Sequence, residues 1–127
     1  EWFREWAQID MARFGSLLDS RWDFRQRDSV LGASDWPDGQ DACIRLLMID
    51  TSHKVGQTRD ELAAWLPKLN SDAVICGHDY WLPSGGVKQA VDEFASLHHE
   101  RFELLVLPHD FGLFVLMPKE PMWPKYT

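Results

Sequence analysis

Residues 72–81 read DAVICGHDYW, an apolar run from Ala73 to Cys76 that passes through Gly77 into His78 and Asp79, then Tyr80 and Trp81. The run predicts a short buried strand over Ala73–Cys76, entered by the turn chemistry of Asn70-Ser71-Asp72. A strand that ends on an imidazole beside a carboxylate carries groups able to bind metal or move protons to its carboxyl end. Upstream, Cys43-Ile44-Arg45-Leu46-Leu47-Met48-Ile49 is a second apolar run of strand length, closed by Asp50. It has the profile of a strand covered on both faces in a parallel sheet.

Between the two runs, Thr58-Arg59-Asp60-Glu61 matches the capping box, in which a hydroxyl and a carboxylate satisfy each other's free backbone donors at a helix start. That helix would turn Leu62, Ala63, Leu66 and Leu69 inward, and Pro67 would distort or end it. Beyond the opening stretch, Val87, Ala90, Val91, Phe94 and Leu97 recur at helical spacing, with Ser84 as the natural cap. Strands are predicted over Phe102–Leu107 and Phe111–Met117. Their short link, Pro108-His109-Asp110, suits an antiparallel pair better than a crossover. At the amino end, Trp2, Phe3, Trp6, Ile9, Phe14, Leu17 and Leu18 predict an amphipathic helix over residues 2–19 with a weak point at Gly15. Trp22–Gln26 is a short strand candidate, and Leu31–Asp41 carries turn chemistry with a short helical piece.

Strand, helix, strand, helix and a closing hairpin is α/β order, and right-handed crossovers place the helices. The reading is a mostly parallel sheet with a C-terminal antiparallel hairpin, forming one domain over residues 1–117, followed by a Pro-rich surface tail over residues 118–127. Ligands of such open sheets bind outside the carboxyl ends of the strands. Asp50 lies at one such end and His78 with Asp79 at the next, so the three should converge on one edge.

Composition narrows the function classes. The 127 residues, 45% hydrophobic with seven Trp and seven Phe, suffice for one packed core. The net charge of −7 argues against nucleic acid, whose backbone is bound by replacing counterions with Lys and Arg. No apolar run approaches the roughly 20 residues needed to span a bilayer, and Glu1-Trp2-Phe3-Arg4-Glu5 lacks the layout of a secretory signal. The chain therefore reads as soluble and cytoplasmic, with no membrane partner. Cys43 and Cys76 each sit in an apolar run and read as buried thiols.

Four ordered motifs carry a resemblance: Ile49-Asp50-Thr51-Ser52-His53, Asp60 to Leu69, Gly77-His78-Asp79-Tyr80, and Gly86 to Phe94. They are similar to the later half of class I S-adenosylmethionine-dependent methyltransferases, within the group called methyltransferase 24, over about residues 24–117. The resemblance implies part of a Rossmann-like sheet, S-adenosylmethionine as cofactor, and a small-molecule or saccharide acceptor methylated on a hydroxyl. Phe24-Arg25-Gln26-Arg27-Asp28-Ser29 resembles the strand end whose acidic residue and Ser lie near the adenine, with Arg27 where Gly is usual. Asp28, Ser29 and Asp50 are thereby implied in cofactor binding. The glycine-rich cofactor loop has no counterpart: no Gly-x-Gly occurs in the chain. Thr51 also replaces the glycine expected after Asp50, Ser52 a frequent acidic residue, and Ser71-Asp72 a Gly-Gly turn.

In metal-dependent relatives, positions matching Asp50 and the pair His78-Asp79 hold magnesium, which orients the acceptor hydroxyl. A hydroxyl is a weak nucleophile near neutral pH, and a divalent cation lowers its pKa. Asp50, His78 and Asp79 are the expected ligands. The imidazole shifts the choice from magnesium toward zinc, manganese or iron, or makes His78 a general base instead. The bland alternative is that Gly77–Tyr80 caps a turn. His53 could be a base, a group behind the ligands, or an exposed loop residue; Asp50, His53 and His78 are the catalytic candidates. His98-His99 suit a helix end, where cations complement the dipole, and His109-Asp110 a hairpin link. Three functions remain open: a methyltransferase domain completed by a preceding segment, a non-catalytic remnant serving binding or assembly, and a half-domain whose sheet a second copy or partner segment completes.

Overall fold

The computed structural model describes residues 25–38 and 44–119. The helix expected over residues 2–19, most of the strand candidate at 22–26, Cys43 and nearly all of the tail lie outside the described residues. Arg25 and Gln26 are not in a strand. The order is α1 (Ser29–Ala33), β1 (Ile44–Ile49), α2 (Val55–Trp65), β2 (Leu69–Gly77), α3 (Val87–Leu97), β3 (Phe102–Leu107) and β4 (Leu113–Pro118). A 3-10 turn over Leu66–Lys68 joins α2 to β2 and contains Pro67, which ends the α-helix as its missing N–H requires. No helix among the described residues is long and apolar enough to cross a membrane.

The strands form one four-stranded sheet in the order β1-β2-β4-β3. β1 and β2 are parallel, with Leu47 opposite Ile75 and Ile49 opposite Gly77. β4 lies antiparallel between β2 and β3, pairing Ile75 with Leu116 and Leu104 with Leu116 from either side. Because side chains alternate along a strand, these registers put Ile49, Ile75, Phe114, Leu116 and Phe102 on one face. There they meet Leu62 of α2 and Val87, Val91 and Phe94 of α3 in the core. Each such side chain, withdrawn from water, contributes about 1.5–3 kcal/mol. On the opposite face Leu46, Met48, Leu105 and Leu107 stay 45–65% exposed.

Several local expectations are corrected. Asn70-Ser71-Asp72 is not a turn but part of β2, at a register shift between Ile44 and Leu46, where irregular pairing accommodates the polar residues. α2 starts at Val55, a turn before the expected capping box, so Thr58 and Glu61 lie inside the helix and are buried. Ser84 does not cap α3, whose N-cap is Gly86. Ala63 and Leu97, expected on inner faces, are exposed. Cys76 is a free, partly buried thiol, and burial raises its pKa, as suits an inert side chain.

Candidate functional site

Parallel pairing of β1 with β2 brings Asp50, the residue after Ile49, and His78-Asp79, the residues after Gly77, to the same sheet edge. Two glycines permit the approach. A Cβ on Gly77 would lie 2.4 Å from the Ile49 carbonyl oxygen and 2.4 Å from the Phe114 ring, so any side chain there would push β1 and β4 away. A Cβ on Gly86 would lie 2.1 Å from Val55 Cγ2 and 2.3 Å from Val55 N, so only glycine lets the α3 start abut the α2 start. The Gly86 N–H donates to the His53 carbonyl at 2.6 Å, which ties the turn after β1 to the turn before α3.

The ring drawn between the two carboxylates is His53, not His78. His53 Nε2 lies 2.8 Å from Asp79 Oδ2 and 3.5 Å from Asp50 Oδ1. One ligand atom from each of Asp50, His53 and Asp79 fits within a 4.8 Å span. His78 stands beside this group, with Nδ1 3.1 Å from the other Asp79 oxygen, Oδ1. The Asp79 side chain is 12% exposed, those of His53 and His78 33%, and that of Asp50 54%, so the group opens toward solvent through Asp50. His53 and Asp79 also hold left-handed backbone, with φ of 60° and 62°. His and Asp tolerate that region better than most residues. Departures of this kind gather at sites where side-chain direction matters.

The Asp79 turn is fixed from behind. The Tyr80 and Trp81 N–H groups donate to the Gly112 and Phe111 carbonyls at 3.2 and 2.7 Å, and buried Tyr80 donates its hydroxyl to Asp92 on α3. Burial, then the hydrogen bond to Asp92, holds the Tyr80 phenol above its ordinary pKa. The Asp50 turn is held by Thr51, whose hydroxyl donates to Glu61 Oε2 at 2.8 Å. The other Glu61 oxygen accepts from Gln57 Nε2 at 3.0 Å. Beside His53 lies a cavity of about 460 Å³ lined by Ser52, Lys54, Val55, Leu82, Ser84 and Gly86 among others.

Asp28 and Ser29 are placed on α1, away from this cluster in the chain. Asp28 is its N-cap, with Oδ1 accepting from the Leu31 N–H at 3.0 Å. Ser29 accepts from Trp65 Nε1 through its carbonyl at 3.1 Å and its hydroxyl oxygen at 3.3 Å. Its hydroxyl proton is thereby directed away from Trp65, since the oxygen is the acceptor there. His98 is the C-cap of α3 and packs against Phe94, and His109 lies in the β3–β4 link.

Sequence reasoning passed over Thr51 and Glu61 as site residues. The capping-box pattern put Glu61 at an exposed helix start, whereas it shares the buried stripe of α2 with Thr58 and Leu62, where a carboxyl group needs a specific partner.

The α/β fold, with adjacent parallel strands that end on Asp50 and on His78-Asp79, is of the open-sheet class, in which ligands generally sit at the carboxyl edge of the sheet. The family described as a methyltransferase domain, methyltransferase 24, matches residues 2–80, and the chain belongs to that family. Among solved structures, a protein from Corynebacterium glutamicum is similar in fold, with a TM-score of 0.62 at 15% identity. The alignment covers 85% of this chain and 51% of that one, so the chain spans about half that protein's length. No curated protein matches the sequence. The methyl donor that this family implies is S-adenosylmethionine.

Proposed function

We propose that this domain supplies the acceptor and cation side of an S-adenosylmethionine-dependent methyltransferase that methylates a hydroxyl of a sugar or related small molecule. The observation that carries the reading is the placement of Asp50, His53 and Asp79 around one point, with His53 also lining the 460 Å³ cavity.

The donor set fits a divalent ion. For metal–ligand bonds of about 2.1 Å, neighbouring donors lie about 3.0 Å apart at octahedral and about 3.4 Å apart at tetrahedral angles. The separations of 2.8 and 3.5 Å from His53 Nε2 to the two carboxylates bracket those values. A ring nitrogen 2.8 Å from a carboxylate oxygen needs a hydrogen or a metal between them. The protein thus offers a position where a cation can replace the proton on Nε2. Two oxygens and one nitrogen favour manganese, iron or zinc over magnesium. An ion there would supply one thing, a lower pKa for the acceptor hydroxyl.

The remaining work belongs to side chains. Asp79 Oδ1 orients His78 through Nδ1, which leaves His78 Nε2 to accept the hydroxyl proton as general base. Ser52, Lys54 and Ser84 give the cavity polar contacts suited to a hydroxylated acceptor, while Leu82 and Val55 give it an apolar wall. Asp28, exposed at the head of α1, and the Ser29 hydroxyl suit the adenine contact that the family resemblance implies.

The test is transfer of labelled methyl from S-adenosylmethionine to a panel of sugars and hydroxylated natural products by the full-length protein, with and without EDTA. Transfer that EDTA abolishes and manganese restores supports the reading. Transfer indifferent to EDTA, or confined to amines, contradicts it.

A further inference from the structure

Glu61 is fully buried, a carboxyl group on the inner face of α2 beside Thr58 and Leu62. Burying polar oxygens without partners is costly, and Glu61 has two partners: the Thr51 hydroxyl on Oε2 and the Gln57 amide on Oε1. Thr51 is the residue between Asp50 and the turn that carries His53 in left-handed backbone. A second fixed point holds that turn from the far side, where Gly86 N–H meets the His53 carbonyl. The same construction recurs on the neighbouring strand. Asp79 is followed by Tyr80, whose hydroxyl donates to Asp92 on the helix after it. Each site aspartate is therefore followed by a hydroxyl residue anchored to a carboxylate of the next helix.

We infer that Glu61 is a positioning residue, acting through Thr51 to hold His53 Nε2 between Asp50 and Asp79. The inference rests on the reading of those three residues as the site. A carboxyl group offers one oxygen to each of the two donors, the Thr51 hydroxyl and the Gln57 amide, where a glutamine would have a single acceptor oxygen for both. Removing the Thr51 hydroxyl frees the turn on one side while the β1 strand and α2 helix remain packed. The outer groups that orient metal ligands typically change metal affinity about 10–100-fold when removed.

The experiment uses the 127-residue chain with 13C-labelled histidine, its His53 ring signal assigned by His53→Gln. Thr51→Val keeps shape and loses the hydroxyl, Thr51→Ser keeps the hydroxyl, and Glu61→Gln leaves one acceptor oxygen for two donors. The His53 ring signal without metal, Mn²⁺ affinity by electron paramagnetic resonance, and the melting temperature are measured for each. Expected are a displaced His53 signal in Thr51→Val and Glu61→Gln, a wild-type signal in Thr51→Ser, and at least about tenfold weaker Mn²⁺ binding in the first two. A wild-type His53 signal in folded Thr51→Val overturns the inference, as does equal displacement in Thr51→Ser. Should Thr51→Val fail to fold, Glu61→Gln against Thr51→Ser decides by the same signal. Absence of Mn²⁺ binding by the unmodified chain removes the cation reading instead, and the ring signal still decides the role of Glu61.

Discussion

Replacing Gly77 by alanine places one methyl group 2.4 Å from the Ile49 carbonyl oxygen and 2.4–2.5 Å from two carbons of the Phe114 ring. Ordinary contact begins near 3.4 Å, so about 1 Å must be found in two directions at once. Neither neighbour gives way easily. The carbonyl belongs to the β1 backbone that pairs with β2, and Phe114 is fully buried against Leu116 and Ile75. Overpacking of a filled core costs typically about 1–3 kcal/mol, and a clash with backbone belongs at the upper end, about 3 kcal/mol. For a domain of this size that is a fall in melting temperature of about 10 °C. The assay is urea unfolding followed by Trp fluorescence, with midpoint and slope fitted separately. The expected result is a lower midpoint at an unchanged slope, since the surface exposed on unfolding is the same. Gly56→Ala is the matched control: its Cβ would meet nothing within 4 Å, and in the first turn of α2 it should leave stability unchanged or raise it by up to about 0.5 kcal/mol. A Gly77→Ala protein within about 0.5 kcal/mol of wild type would refute the close approach on which the meeting of Asp50 and Asp79 depends.

Further outcomes follow from the same structure. His98 is held below its ordinary pKa, first by burial and then by the Arg101 guanidinium. The unfolded chain therefore takes up a proton that the folded chain resists, so His98 subtracts nothing above the ordinary range near 6.5 and destabilises progressively as pH falls through it. Unfolding free energies at pH 7.5, 6.5 and 5.5 should decline less in His98→Gln than in wild type; parallel profiles would contradict this. Asp28→Ala should lose about 1 kcal/mol of stability through the cap on α1, while Asp28→Asn, which keeps the acceptor oxygen, should lose a few tenths. If both variants lose the same amount in chemical denaturation, the cap is not what holds α1.

The elements that the sequence made legible are those with a simple period. β3 has the boundaries its short apolar run predicts, Phe102–Leu107, and α3 carries the predicted i, i+3, i+4, i+7 stripe of Val87, Ala90, Val91 and Phe94, though it starts from Gly86 and not from Ser84. The convergence of Asp50 and Asp79 was legible too, since a parallel pair must put both strand ends at one edge. Local rules misled where tertiary contacts outranked them. Thr58-x-x-Glu61 is a sound capping pattern, but Glu61 bonds to Thr51, ten residues upstream, and the helix starts earlier. Asn70-Ser71-Asp72 has turn composition, yet parallel pairing with β1 absorbs it as an irregularity of β2. Choosing between His78 and His53 was beyond the sequence. Adjacency favours His78, whereas two left-handed residues and the Gly86 contact turn His53 toward the carboxylates, and such backbone states have no residue pattern of their own here.

If Asp50, His53 and Asp79 form one cation site, the unmodified 127-residue chain binds Mn²⁺ there. Titration followed by electron paramagnetic resonance should show a single bound ion, lost in both Asp50→Asn and Asp79→Asn while each variant stays folded. Saturation that persists in Asp79→Asn, or no binding by the unmodified chain, would mean that these three residues do not form a cation site.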